Sequence, residues 1–446
     1  MNNIKHFKEK IDRFLDEYSR LYIFSGAIRV TYKDEIIYER FLGYADIEHK
    51  VPINKNSLFN LYSVSKPFCA IGLLKLVDKG LVDLNEHPGK YVPEARDFDK
   101  SLTIKHLLQH SSGVPDFTHH KDFVNKHLSD EITDMRKMVK ELTEYPANFA
   151  PGTNTLYENI NFTLPALIIE NITGLSYREY MQKEVFEPLG MKTARVDRPG
   201  LLVDNRVRGY DIDGDHLISQ DRHVIWMLGA GDLLGTLDDV YCLNKAIKHK
   251  LLLKPETWEQ VLTPSETSIF GLGCKITNWH GKKRILHNGG HKGFRTWHVQ
   301  LPEDDLDIII LSNCGFGNTR VALSDVIYNA FYGHTENADK ETELDTGFVM
   351  EIAQNNDVVS DDFLPKKPTP SKLSTEDEKM YLGNYEGLSL IKTEDDYCII
   401  NPDGRKLCCY WAENGLFANK YIDECYSINI TDNGNITLLG KNKLNQ

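Results

Sequence analysis

Apolar residues recur at helical spacing near the start of the chain, where Ile4, Phe7, Ile11, Phe14 and Leu15 share one face of a charged segment. The spacing then changes. Gly26-Ala-Ile-Arg-Val-Thr-Tyr and Ile36-Ile-Tyr-Glu-Arg-Phe flank Lys33-Asp34-Glu35, two β-rich runs around a polar turn, and predict a hairpin. A long apolar helical pattern opens at Leu61-Tyr62-Ser63-Val64-Ser65-Lys66-Pro67 and runs to about Lys79, with Gly80 where a helix commonly closes. Thr103 is suited to cap a second helix, which stops at the turn formers Ser111-Ser112-Gly113-Val114-Pro115. Residues 120–148 read as helical and strongly charged. Pro151-Gly152-Thr153 makes a turn before Tyr157-Glu158-Asn159, and Leu164, Leu167, Ile168 and Ile172 resume helical spacing up to Gly174. Thr236, with Asp238 and Asp239 behind it, is a strong helix start.

From about Phe270 the pattern turns to strands. Phe270-Gly-Leu-Gly-Cys, Arg284-Ile-Leu-His-Asn-Gly, Arg295-Thr-Trp-His-Val-Gln-Leu and Leu306-Asp-Ile-Ile-Ile-Leu-Ser-Asn follow one another across short turns, as in an antiparallel meander. A helix over about 321–332 carries an apolar side. Strands at both ends with helices between them predict an α+β domain, an antiparallel sheet flanked by helices plus a helical insertion. Beyond 332 the composition shifts to Asn, Asp, Thr and Pro, as in a linker. Two hairpin signals follow, around Asn401-Pro-Asp-Gly and Asp432-Asn-Gly-Asn, and predict a small all-β domain. The expected division is a domain over 1–333, a linker over 334–377 and a β-domain over 378–446.

Composition is that of an ordinary globular protein, 41% hydrophobic and 26% charged over 446 residues. A formal net charge of −13 argues against nucleic acid or an anionic membrane as partner. Eight cysteines lie scattered without the C-x-x-C spacing of zinc or thioredoxin-like sites, a usage that suits a reducing compartment. The charged N-terminus lacks the apolar stretch of a signal peptide, so a cytoplasmic location is expected.

Three polar clusters carry candidate chemistry. Ser63 and Lys66, three apart at a helix start, present a hydroxyl and an amine on one face, and an adjacent proton acceptor activates a serine. Tyr157-Glu158-Asn159 offers a phenol whose ionised form a nearby ammonium favours, and an amide able to hold Lys66 or a substrate. His287-Asn288-Gly289-Gly290 ends a strand, where glycines let a substrate backbone approach and leave N–H groups to stabilise an oxyanion. Alone, each also reads blandly, in turn as a chance recurrence of four letters, a half-buried aromatic and a tight turn. The pairs His106/His110 and His287/His291 have spacings a metal accepts, but no acidic residue completes them, and neither metal nor cofactor is expected.

Together these stretches resemble the serine β-lactamase-related family, which includes class C β-lactamases, D,D-carboxypeptidases, D-aminopeptidases and esterases. The resemblance rests on Ser63-Val64-Ser65-Lys66, Leu107-Leu-Gln-His-Ser-Ser-Gly-Val-Pro-Asp116, Tyr157-Glu158-Asn159, Gly229-Ala-Gly-Asp-Leu-Leu-Gly-Thr236, Phe270-Gly-Leu-Gly273 and His287-Asn288-Gly289, in the family's order over roughly residues 23–332. It implies a β-lactamase/transpeptidase-like fold, and the C-terminal β-domain is similar to lipocalin-like tails of some members.

By the same resemblance Ser63 is the acylated nucleophile, Lys66 its proton acceptor, Tyr157 a partner in base and deacylation chemistry, and Asn159 the group that positions Lys66. The oxyanion hole is expected at the backbone N–H groups of Ser63 and Gly290, with Asn288 and Gly289 lining the substrate strand. Arg295 reads either as a carboxylate receptor or as a solvated strand charge. His287 stands where many members carry lysine, and as a residue titrating near neutrality it puts a fixed positive charge in doubt. The expectation is a serine hydrolase acting through a Ser63 acyl-enzyme on a small peptide amide, D-residue-containing, or on an ester. A non-catalytic peptide-binding or scaffold member is the rival from another class, and a β-lactamase the weaker enzymatic alternative. A small molecule or short peptide is the expected partner, and a homo-oligomer is left open.

Overall fold

Six strands form one antiparallel sheet in the computed structural model of the protein, in the order Lys275–Trp279, Lys282–His291, Phe294–Leu301, Leu306–Ser312, Gly26–Tyr32, Glu35–Leu42. The N-terminal hairpin therefore joins the far end of the meander, with Gly26 opposite Ser312 and Tyr32 opposite Leu306. Leu306–Ser312 is buried along its whole length, as its Ile-rich run predicts for a central strand. The structure describes residues 2–117, 123, 134–198, 201–220, 227–279, 281–316, 319–332, 367–402, 404–430, 436–438 and 441–442. Of the charged stretch 120–148, residues 120–133 except Phe123 lie outside them; the remainder holds the helix Met135–Leu142, capped by the Asp134 carboxylate.

The helix that carries the Ser-x-x-Lys pair begins as a 3₁₀ turn, Tyr62–Val64, and continues as an α-helix over Ser65–Asp78. Its residues from Ser65 to Leu74 are buried, which explains why its apolar pattern shows no polar face. Gly80 follows with φ +71, the left-handed turn that ends a helix and that glycine adopts without strain. Thr103 and Thr236 both cap their helices through their hydroxyls, onto the amides of His106 and Asp239. One strand assignment needs correction. Phe270-Gly-Leu-Gly-Cys is irregular, and the strand starts only at Lys275. A Cβ at Gly271 would stand 1.9 Å from the Val261 carbonyl oxygen, and Gly273 has φ +96, so this stretch is pressed onto its neighbours and cannot extend.

The described residues fall into two compact units. The unit just outlined comprises 26–208 and 221–313; the other gathers 1–25, 209–220 and 314–446. These lines differ from the sequence-based division, whose linker lies largely outside the described residues. Within the second unit the helix Asn2–Leu21 meets the helix Thr319–Tyr332, with Phe7 and Phe331 edge to face at 6.3 Å. Its C-terminal part is all-β: a six-stranded antiparallel sheet over 383–426 and a three-stranded one over 428–442, around Tyr385, Leu390, Ile399, Phe417 and Tyr426. The turn Asp432–Asn435 lies outside the described residues. All eight cysteines are free. Among the described residues no helix is long and apolar enough to cross a membrane.

One junction in the first unit fixes the site. Thr296 Oγ1 donates to the Leu61 carbonyl at 2.8 Å, tying the Phe294–Leu301 strand to the residues before Ser63. Gly289 lies against the same spot: a Cβ there would stand 2.2 Å from Thr296 Oγ1, 2.3 Å from Leu61 O and 3.1 Å from Ser63 N. At Gly290 a Cβ would meet only the flexible Arg295 side chain, at 3.2 Å and beyond. Gly289→Ala is therefore expected to destabilise the protein by about 1–3 kcal/mol through overpacking, whereas Gly290→Ala changes stability by less than about 1 kcal/mol. Urea titrations of the two variants side by side check this contrast.

Candidate active site

Ser63 sits half-buried at the turn between a strand edge and its helix. The residue before it, Tyr62, is held at φ +44, a left-handed backbone that a bulky aromatic rarely adopts. Its ring is buried and packs at 5.5 Å against His291 and at 5.8 Å against Phe294, contacts that hold it there. Lys66 is fully buried one helical turn on. Its Nζ lies 3.0 Å from Ser63 Oγ, 2.9 Å from Asn159 Oδ1 and 2.8 Å from the Ala230 carbonyl oxygen. Burial pushes the amine down to about 7; the carboxylates of Asp116 and Asp232 oppose that shift, and the charge of Lys275 adds to it.

Three further segments converge on this amine. Asn159 precedes the helix Ile160–Thr173, whose start is fixed by the buried Asp116: its Oδ2 accepts from the Ile160 amide at 2.8 Å. Ser112 donates to Asn161 Oδ1 at 2.6 Å and accepts from the Val114 amide, so the 111–116 turn is bound to the same helix. Tyr157 places its ring 4.7 Å from Lys66 Nζ and stacks at 4.4 Å on His110. Two donors, the Glu158 amide and Asn161 Nδ2, converge on His110 Nδ1, so the ring hydrogen belongs on Nε2. Burial holds that imidazole well below its usual range, and it is neutral.

His287 closes the cluster, its ring 6.2 Å from that of Tyr157. Here the expectation of a residue titrating near neutrality is overturned. His287 is fully buried, and desolvation, with Lys66 and Lys275 nearby, drives its pKa well below 6.5. Its Nδ1 stands 2.7 Å from the Asn288 carbonyl, which can only accept; the hydrogen is on Nδ1 and Nε2 keeps its lone pair.

The positive charge missing at 287 is present elsewhere. Lys275, the first residue of its strand, is buried, and its Nζ donates to Asn288 Oδ1 at 3.1 Å. Sequence reading stopped at Gly273 and missed it. The signal was there in register: Lys275 pairs with Leu286, two residues before Asn288 and so on the same face. Asn288 is half-buried, and Arg295 lies alongside Gly290, its Nη1 donating to the Phe294 carbonyl at 2.9 Å. Two other groups were also missed: the Ala230 carbonyl and the Asp116 carboxylate, which lie within quoted motifs but had no chemistry to mark them. Among the described residues, one group of metal-ligand side chains gathers, Asp46 with Glu48 and His49, each of them at least partly exposed.

Five of the expected side chains, Ser63, Lys66, Tyr157, Asn159 and His287, thus stand in one cluster, with Asn288 to Gly290 along its edge. A buried amine against a half-buried hydroxyl is an arrangement able to activate a nucleophile.

Known proteins bear on this arrangement. Residues 7–328 match the family model described as Beta-lactamase. Penicillin-binding protein 4* of Bacillus subtilis is 27% identical over 393 residues, 80% of this chain and 83% of that protein. The octameric penicillin-binding protein homologue from Pyrococcus abyssi superposes with a TM-score of 0.65 at 20% identity, covering 97% of this chain and 98% of its own. The D-amino acid amidase of Ochrobactrum anthropi SV3, solved with D-phenylalanine, gives 0.64 at 21% identity over 74% of this chain and 99% of its own. With the family model covering most of the chain, the protein belongs to the Beta-lactamase family, in the fold that serine β-lactamases share with penicillin-binding proteins.

Proposed function

We propose that the protein is a serine hydrolase that forms an acyl-enzyme at Ser63. The observation that carries this reading is the 3.0 Å approach of a buried Lys66 amine to Ser63 Oγ. A neutral amine has two N–H groups and one lone pair. Asn159 Oδ1 and Ala230 O only accept, so they take the two N–H groups and leave the lone pair for the Ser63 hydroxyl. Lys66 then takes the Ser63 proton as Oγ attacks a substrate carbonyl. The N–H groups of Ser63 and Gly290 receive the oxyanion. Tyr157, beside Lys66, passes the proton to the leaving group and serves again when water releases the acyl group. His287 contributes an uncharged acceptor at Nε2.

The substrate we propose is a short peptide amide containing a D-residue and ending in a free carboxylate. The first part is supported by likeness to penicillin-binding proteins and to a D-amino acid amidase in fold. The second is supported by Lys275. An ammonium can only donate, so its bond to Asn288 Oδ1 leaves the Asn288 Nδ2 donors facing away from Lys275, with a positive charge behind them. An ester of the same acyl group would pass through the same intermediate. A homo-oligomer is part of the proposal, supported by the octameric relative whose chain matches nearly all of this one.

Three results are expected. Ser63→Ala loses roughly 10³-fold or more in kcat/KM, and intact-mass analysis after a fluorophosphonate finds an adduct on the wild type alone; a wild type that takes no adduct with fluorophosphonate or penicillin would favour a purely binding role. Because only the unprotonated amine is a base, and burial pushes Lys66 down to about 7, the labelling rate rises with pH through about 7 and levels off above it. An inflection near the ordinary lysine value of 10.5 would contradict the buried base. Finally, Lys275→Met raises KM for a peptide with a free C-terminal carboxylate about 10-fold, and leaves the same peptide with an amidated end within twofold.

A further inference from the structure

The segment 229–233 is bound to the nucleophile region at four points. Leu61 N donates to Leu233 O at 2.8 Å and Leu233 N to Ser65 Oγ at 3.1 Å. Lys66 Nζ donates to Ala230 O at 2.8 Å. Gly229, at φ +72, presses on both helices: a Cβ there would stand 2.6 Å from Phe162 O and 3.0 Å from Cys69 Sγ. Inside this turn the Asp232 carboxylate folds back, Oδ2 accepting from the Gly229 amide at 3.0 Å. Its own carbonyl accepts from the Asp197 amide at 2.7 Å. The bond from Asp232 to Gly229 spans Ala230 and Gly231, whose amides both donate to the Met227 carbonyl at 2.8 Å, so the carboxylate closes the turn whose backbone bonds orient the Ala230 carbonyl.

We infer that Asp232 is a positioning residue for Lys66: its carboxylate closes the 229–232 turn and so holds the carbonyl on which the lysine amine rests. This rests on the reading of Ser63 and Lys66 as the reactive pair. The charged and titratable groups facing Asp232 are Lys66 and Cys69 from the nucleophile helix, Tyr177 and Arg178 from the helix Tyr177–Met181, and Asp197. Burial pushes the Asp232 carboxyl up to about 7, with Asp197 adding to the rise, while its amide bonds and Lys66 oppose it. Above that pH the carboxylate is charged and favours the protonated form of Lys66.

Two variants separate geometry from charge. Asp232→Asn keeps an oxygen for the Gly229 amide and loses the charge; Asp232→Ala loses both. In fluorophosphonate labelling across pH 5–10, Asp232→Ala is expected to fall at least 10-fold below wild type on the high-pH plateau. Asp232→Asn stays within threefold there, with its inflection moved to lower pH because Lys66 loses a stabilising negative charge. Hydrogen exchange over 227–233, which needs no activity, should quicken at least 10-fold in Asp232→Ala and stay at the wild-type rate in Asp232→Asn. An Asp232→Ala protein that exchanges and labels as wild type overturns the positioning role. So does an Asp232→Asn protein as slow as Asp232→Ala. If the wild type takes no label, the reading of Ser63 fails, and the exchange rates still decide whether Asp232 holds the turn.

Discussion

A lysine amine withdrawn from water must shed its charge or have it matched, and each N–H must find an acceptor. Lys66 meets the first condition through burial and the second through Asn159 and Ala230, which leave Ser63 as its third neighbour. Much of the surrounding architecture serves that arrangement. Asn159 is in place because Asp116 and Ser112 fix the start of its helix. Ala230 is in place because the 229–233 turn is bound to Leu61 and Ser65. Acceptors that lie far apart in sequence, near 160 and near 230, are brought to one atom by tertiary packing alone.

The parts of the site legible in sequence were those where chemistry and spacing coincide. Ser63 and Lys66 announce each other because three residues of helix put them on one face. The Gly289–Gly290 pair was read as room for a substrate backbone to approach; at Gly289 the packing adds a different reason, since no Cβ fits against Leu61 O and Thr296 Oγ1. The α+β class followed from where the periodicities changed. What escaped were contributions that depend on another strand's register or on a backbone atom. Lys275 joins the site through its neighbour strand, and Ala230 contributes a carbonyl, which every residue has. His287 stands beside Tyr157 but was given the wrong electrostatics, since burial cannot be read from a single letter in a strand. The strand proposed at Phe270 failed because two glycines there are needed for close approach, and close approach looks like extension in a one-dimensional pattern.

The electrostatics of the cluster form one balance. Lys275 opposes a proton on Lys66, and Asp116 and Asp232 favour it, while burial outweighs all three. His110 and His287 are held neutral by the same burial, with the two lysines adding to the effect. Neutral imidazoles have fixed tautomers when their neighbours are fixed, so both rings present one defined donor or acceptor over the whole range in which the lysine titrates. The pH response of the site is thereby concentrated in the amine and in the carboxyl behind it.

Tyr62 adds a cost borne just before Ser63. A left-handed backbone at a non-glycine residue is disfavoured by about 1–2 kcal/mol, and here the ring contacts with His291 and Phe294 keep it in place. Glycine at this position would relieve the backbone but surrender the aromatic packing and let the peptide before Ser63 swing. The backbone cost that glycine would relieve is smaller than the roughly 3–5 kcal/mol lost when a buried aromatic ring is removed. Fold stability and the fixed position of Ser63 therefore make the same demand on residue 62, and the strained backbone persists because one ring serves both.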